Sequence, residues 1–323
     1  MKNCTLDRED RSTNKKIGLA LGSGSARGWA HIGVIKALAE TGIKIDYVAG
    51  TSIGAVVGAF YASGRIAALE DAALQIDWRK IVFFLDAVYP KSGLIEGKKV
   101  AEFIRTSVKE KNIEDLSLPF CAVSTDLASG NEVIIRNGDI IEAVRASISV
   151  PGIFTPVTKD NTILVDGALI NPVPVSVVRQ MGADLVIAVD LNHYIVGKKG
   201  ISGDLSANSG TLDPGKGIRQ EPAKKNRALD ALNKRLDRLD NSALMKIRQW
   251  MSKEPALNIF DVIISSINIM ETQITASRLK TDRPDILIRP RLGHIGFMEF
   301  NKAGEAIEEG YREARTCISE KLA

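Results

Sequence analysis

Histidine and cysteine are scarce in this chain, and long apolar runs are missing. Three histidines occur in 323 residues, so a reaction that needs imidazole must draw on His31, His193 or His294. The three cysteines, Cys4, Cys121 and Cys317, lie far apart and form no CxxC pair. That argues against a disulfide framework or a zinc site and fits a reducing compartment. No apolar stretch reaches the roughly 18 residues of a membrane span. The opening MKNCTLDREDRSTNKK is polar and lacks both a signal-peptide core and an apolar run before Cys4. Excess charge is also small: 43 basic against 39 acidic residues give a net +4. Such a balance does not argue for nucleic acid, nor would it repel an anionic membrane. The expectation is a cytoplasmic protein, with peripheral contact at the inner membrane face left open.

What is present is an alternation of short strands and helices. Ile17-Gly18-Leu19-Ala20-Leu21 reads as a buried parallel strand, followed by a helix from Gly28 to Thr41 that Gly42 ends. Ile45–Ala49 is a second strand and Ile53–Ser63 a second helix. This pitch indicates an α/β fold with a parallel sheet. After an irregular middle stretch, Phe120–Ser124, Glu132–Ile135, Thr162–Val165 and Leu185–Val189 read as strands. Asp139–Ser147 and Val175–Met181 read as helices. Residues 16–195 thus make a core, followed by a Gly/Ser/Lys-rich linker over 196–225. The remainder, 226–323, reads as amphipathic helices with one late strand at Asp285–Ile288, packing on that core. Its first helix, 227–253, spaces Leu229, Leu232, Leu236 and Leu239 along one face and carries basic residues on the others. It has two readings: a membrane-surface or lid helix, or a helix whose leucines pack on the core.

Gly50-Thr51-Ser52-Ile53-Gly54 is a G-x-S-x-G sequence between a strand and a helix. A sharp turn there lifts the serine hydroxyl out of the sheet edge and places it at a helix N-terminus. The bland alternative is a serine that caps the helix. Upstream, Gly22-Ser23-Gly24-Ser25-Ala26-Arg27-Gly28 can bring backbone amides onto an anion, such as the oxyanion of an acyl intermediate. As a dinucleotide loop it fails, because the third glycine of G-x-G-x-x-G falls on Arg27. A looser version with Gly22, Gly24, Gly28 and Asp46 leaves the G-x-S-x-G unexplained. A serine nucleophile needs a base. The candidates are His193 and His294, His31 being placed to serve structure, and Asp166, which opens Asp166-Gly167-Ala168 directly after a strand.

These elements in this order resemble the patatin-like phospholipase family, especially its small bacterial members. The pattern is a glycine-rich loop ending in Arg/Lys-Gly, then G-x-S-x-G, then Asp-Gly-Gly/Ala. GWAHIGVIKAL, GLIEGKKV at 93–100, TDLASG, RASISVPGIFTPV and VDGALINPVPV match as well. The resemblance implies a three-layer sandwich with a mainly parallel central sheet and helices on both faces. It implies a Ser52–Asp166 dyad, an elbow framed by Gly50 and Gly54, and an Asp-Gly-Ala motif continued by Gly167 and Ala168. An oxyanion hole would come from the amides of Gly24, Ser25 and Ala26, with Arg27 nearby. The implied substrate is a carboxylic ester of a phospholipid or lysophospholipid, with no metal and no cofactor. One departure stands out: the family usually has glycines where this chain has Ser23 and Ser25. Serine serves there through its backbone N–H unless the local φ is positive. Two other readings are a Ser-His-Asp triad esterase and a non-catalytic lipid-binding regulatory member of the same fold.

Overall fold

In the computed structural model, residues 15–77, 80, 95–195 and 259–322 are described. Short runs of Leu, Ala, Val and Ile build the centre of an eight-stranded sheet. β1 (Ile17–Leu21) lies between β2 (Tyr47–Thr51) and β7 (Leu185–Val189), and all three run parallel. β3 (Phe120–Asp126) extends the parallel set beyond β2, and β8 (Ile286–Ile288) extends it beyond β7. β1, β2 and β7 are buried except at their first residues, as strands covered on both faces require.

β3 carries the fold from parallel to antiparallel pairing. β4 (Glu132–Ile135) pairs with it over Ala122 to Thr125. On β3, Ala122 and Val123 also pair with β2, while Ser124 and Thr125 also pair with β6 (Thr162–Asp166). A strand has two edges, so β2 and β6 share the one opposite β4 and lie end to end along it. β5 (Val157–Lys159) closes a hairpin onto β6 through Asp160 and Asn161, whose φ angles of 48° and 61° define a two-residue turn. The sequence reading passed over β5 and left the direction of β6 open.

Helices cover both faces, giving the expected three-layer sandwich. Alternate residues of β1 divide between two cores: Leu19 and Leu21 face one and Ala20 the other. On the first side sit α1 (Ala30–Glu40), α2 (Ile53–Ala62), α3 (Ile66–Leu74), α4 (Lys98–Ser107), α5 (Ile140–Ser147) and α8 (Ala303–Leu322). On the second side, α6 (Val175–Gln180) buries Val177 and Val178, and α7 (Ile259–Thr281) adds Leu279. α3 and α4 fall in the stretch read from sequence as irregular. α1 starts two residues later than the sequence suggested, because Ser25–Trp29 forms a 3-10 turn first. The α1–α8 crossing is close enough that a Cβ on Gly33 would strike the Ile307 carbonyl. The proposed linker over 196–225 and the leucine-striped helix over 227–253 lie outside the described residues. Among the described residues, no helix is long and apolar enough to cross a membrane.

Candidate active site

β2 ends at Thr51 and α2 begins at Ile53, leaving Ser52 alone in the turn. Its φ of 57° and ψ of −124° lie where a non-glycine residue costs about 1–3 kcal/mol. Local bonds hold it there. The Ser52 N–H donates to Ser147 Oγ at 2.9 Å, and that hydroxyl donates to the Val123 carbonyl at 2.5 Å. Thr51 Oγ1 donates to the Asn171 carbonyl at 2.8 Å. Gly54 is required by proximity: a Cβ on it would meet the Leu21 and Gly22 carbonyls at the end of β1. Gly50 in turn faces the Gly54 carbonyl.

Ser52 does not cap α2 with its side chain. Its hydroxyl donates instead to Asp166 Oδ2 at 2.6 Å, the length of a hydroxyl on a carboxylate. Asp166 Oδ1 accepts the Ala168 N–H at 2.8 Å, the first amide bond of the short turn Gly167–Leu169. The Asp166 N–H donates to the Ser149 carbonyl at 3.0 Å. Ser52 is 7% and Asp166 2% exposed. Burial pushes the Asp166 carboxyl up to about 8, and the nearby Glu271 pushes the same way; bonds from Ser52 and Ala168 oppose them.

The glycine-rich loop runs against the same site. The Gly22 N–H donates to the Val189 carbonyl, and the Ser23 N–H to the Pro172 carbonyl. The Ala26 N–H donates to the Phe297 carbonyl at 3.1 Å and the Arg27 N–H to the Gly24 carbonyl. Ala26 is therefore committed and does not have the free amide expected of it. Among the described residues, the Gly24 and Ser25 N–H groups find no acceptor. Ser25 adopts a positive φ of 50°, the setting expected to bar a serine there; the cost falls on the backbone as strain, and its N–H remains without an acceptor among the described residues. Its hydroxyl donates to the Phe297 carbonyl at 2.6 Å and so ties the strained residue to a second segment. Arg27 is buried, with Nε on the Gly24 carbonyl at 3.1 Å and Nη2 on Asn268 Oδ1 at 3.2 Å. Its side chain props the loop from within. Burial lowers its guanidinium to about 10, which leaves it charged at neutral pH.

No histidine hydrogen-bonds Ser52 or Asp166 among the described residues. His31 is fully buried, with Nε2 2.8 Å from the Gly22 carbonyl, and burial lowers it to about 4. His294 pairs with Glu305 at 2.6 Å, and His193 is exposed beside the Tyr194 ring.

A cavity of 420 Å³ opens onto the two serines, Ser25 and Ser52. Its wall is almost wholly apolar: Val56 from α2, Ala73 from α3, Val100 and Phe103 from α4, and Phe154 before β5 contribute to it. Phe297 and Phe300 close it from the loop before α8, held by a 3.2 Å bond from Trp29 Nε1 to the Phe300 carbonyl. Sequence reasoning did not find this wall, because its residues are spread over more than 200 positions and each looks like ordinary core. It also passed over Ser147, whose only sign was its place in the RASISVPG stretch.

Residues 19–179 match the Patatin family, described as patatin-like phospholipase. An uncharacterised NTE family protein of Mycobacterium tuberculosis is 41% identical over 181 residues, 56% of this chain and 50% of its own. Another, from Mycobacterium bovis, is 32% identical over 308 residues, covering 95% of this chain and 47% of its own. Human patatin-like phospholipase domain-containing protein 6 is 39% identical over 186 residues, 55% of this chain and 14% of its own. The chain belongs to the patatin-like phospholipase family. It spans about half the length of the mycobacterial relatives and a smaller share of the human one.

Proposed function

We propose that the protein is a serine acyl hydrolase that cleaves carboxylic esters of lipids through a Ser52–Asp166 dyad. The observation that carries the reading is the 2.6 Å bond from Ser52 Oγ to a buried Asp166, at a strained turn facing an apolar cavity. Ser52 Oγ attacks the ester carbonyl while Asp166 takes its proton. The carbonyl π pair moves onto oxygen, and the amides of Gly24 and Ser25 receive that charge. On collapse Asp166 returns the proton to the leaving alcohol, and Ser52 holds the acyl group. Water then attacks the acyl-enzyme, Asp166 taking its proton and passing it to Ser52 as the free acid departs. A carboxylate is a weak base for a hydroxyl, and burial makes this one stronger. The cavity accommodates the acyl chain, since a lipid tail brings no polar group that the wall would leave unpaired.

The test is labelling with a fluorophosphonate probe followed by peptide mass mapping. The expected adduct is stoichiometric, sits on Ser52, disappears in D166N and persists in H193A and H294A. An adduct elsewhere, loss of labelling in a histidine variant, or no adduct on folded protein would sink the dyad.

A further inference from the structure

Behind the glycine-rich loop lies a second buried carboxylate that the proposed reaction does not use. Glu271, on α7, is 7% exposed. Its Oε2 accepts the Ser23 hydroxyl at 3.0 Å and Asn192 Nδ2 at 2.6 Å, and Asn192 Nδ2 also lies 3.2 Å from Ser23 Oγ. Ser23 immediately precedes the two loop amides, Gly24 and Ser25, that find no acceptor among the described residues. One helical turn earlier on α7, Asn268 receives Arg27, whose Nε holds the Gly24 carbonyl. α7 thus grips the loop at both ends, with a carboxylate before Gly24 and an amide at Arg27.

We propose that Glu271 is a positioning residue for this reaction: it fixes the oxyanion loop through Ser23, and its charge acts on the Ser52–Asp166 pair. The inference rests on the hydrolase reading given above. A neutral glutamine could accept the same two hydrogen bonds, so the packing alone does not call for a charge. Burying one is costly, and the expense points to a use for the field it creates.

Among the described residues, the groups around Glu271 are few. The Arg27 cation of the 3-10 turn acts on its charge, and its charge in turn acts on the Asp166 acid at the end of β6. Beyond β7, Asn192 is neutral, and Asp190, which receives the Asn192 N–H, is held by Arg289 at 3.1 Å. His31, behind Gly22, is neutral. On α7 itself Asn268 and Thr275 carry no charge. Burial raises Glu271 to about 7, so it and Asp166 ionise over neighbouring ranges and each charge hinders the other. Removing the Glu271 charge therefore makes Asp166 easier to ionise.

The experiment measures kcat and KM against pH for hydrolysis of a soluble aryl ester by the full chain. The proteins compared are the wild type, E271Q, E271A, S23A and S52A. In E271Q the acid limb of kcat/KM moves to lower pH, a shift that a purely structural role would not give. In E271A kcat falls about ten- to a hundredfold with KM little changed, the scale of a misplaced catalytic group. A limb that stays in place in E271Q, or a wild-type kcat in E271A, overturns the inference. Should neither Glu271 variant give a cooperative melt, S23A decides, since it keeps the carboxylate and loses only a hydroxyl. A fall in its kcat at constant KM supports the inference, and an unchanged kcat overturns it. Ester hydrolysis that survives in S52A, or is absent from the wild type, overturns the hydrolase reading itself; a Glu271 result that fails while S52A is dead leaves that reading standing.

Discussion

Ser52 and Asp166 stand at the facing ends of two strands that run toward each other along one edge of β3. Thr51 pairs with Val123 and Asp166 with Ser124, so the two strand ends occupy consecutive rows of the same ladder. A row is about 3.3 Å, which puts the side chains of the turn within bonding reach without any long loop to aim them. The Ser52–Asp166 contact is therefore a consequence of register.

Replacing Asp166 with asparagine keeps its shape and removes its capacity as a base. D166N is expected to lower kcat by about a thousandfold or more, near the loss in S52A. H193A and H294A should stay within about threefold of the wild type. Steady-state hydrolysis of an aryl ester distinguishes these, and a collapse in either histidine variant would favour a triad.

The proposed reaction needs Asp166 ionised, and its burial opposes ionisation. Activity should therefore fall as pH drops through about 8, with kcat/KM losing up to about tenfold per unit well below that point. The measurement is a pH profile of kcat/KM with an uncharged ester. A plateau already established at pH 5 contradicts the raised acidity range.

The same burial has a stability signature of opposite use. An unfolded aspartate ionises near about 4, whereas folded Asp166 keeps its proton up to about 8. Between those values the folded state holds the extra proton, so its advantage is full below pH 4 and is lost as pH rises toward 8. Asparagine does not titrate. The Tm of D166N minus that of the wild type should therefore grow from pH 4 to pH 8, by at least about 2 °C. Thermal melts across that range test it, and a difference that is constant or shrinks is the contrary result.

Val100 is half-buried on the cavity wall, away from Ser52 in sequence and on a separate helix. V100W should shorten the space for an acyl chain. Hydrolysis of long-chain esters is expected to fall about tenfold or more in kcat/KM, with acetyl esters nearly unaffected. Equal losses for both would remove the cavity from the acyl-binding role.

The parallel centre of the sheet was legible because buried strands spell continuous apolar runs, as in Ile17–Leu21 and Leu185–Val189. The placement of Ser52 and Asp166 at strand ends was legible because each sits in a short motif whose neighbours must be small. β5 was not, since three residues, two half-buried around an exposed one, are too short a run to show periodicity; its signal was the Asp160-Asn161 turn. Ala26 was misjudged because nothing local reveals that Phe297, 271 positions away, would claim its amide. In the sequence Glu271 is one more polar position on a helix. Only the tertiary fold, by turning that position inward, makes it unusual.

The bonds from Ser25 and Ala26 to Phe297 also bear on how the gene could be divided. A fragment cut to residues 19–179 would keep Ser52, Asp166 and every recognised motif. It would nonetheless lose β7, baring one side of β1 in the middle of the sheet, together with the aromatic stretch that anchors the loop. The smallest unit that keeps this site intact is therefore larger than the stretch that family resemblance picks out, and the residues after 179 are part of the site.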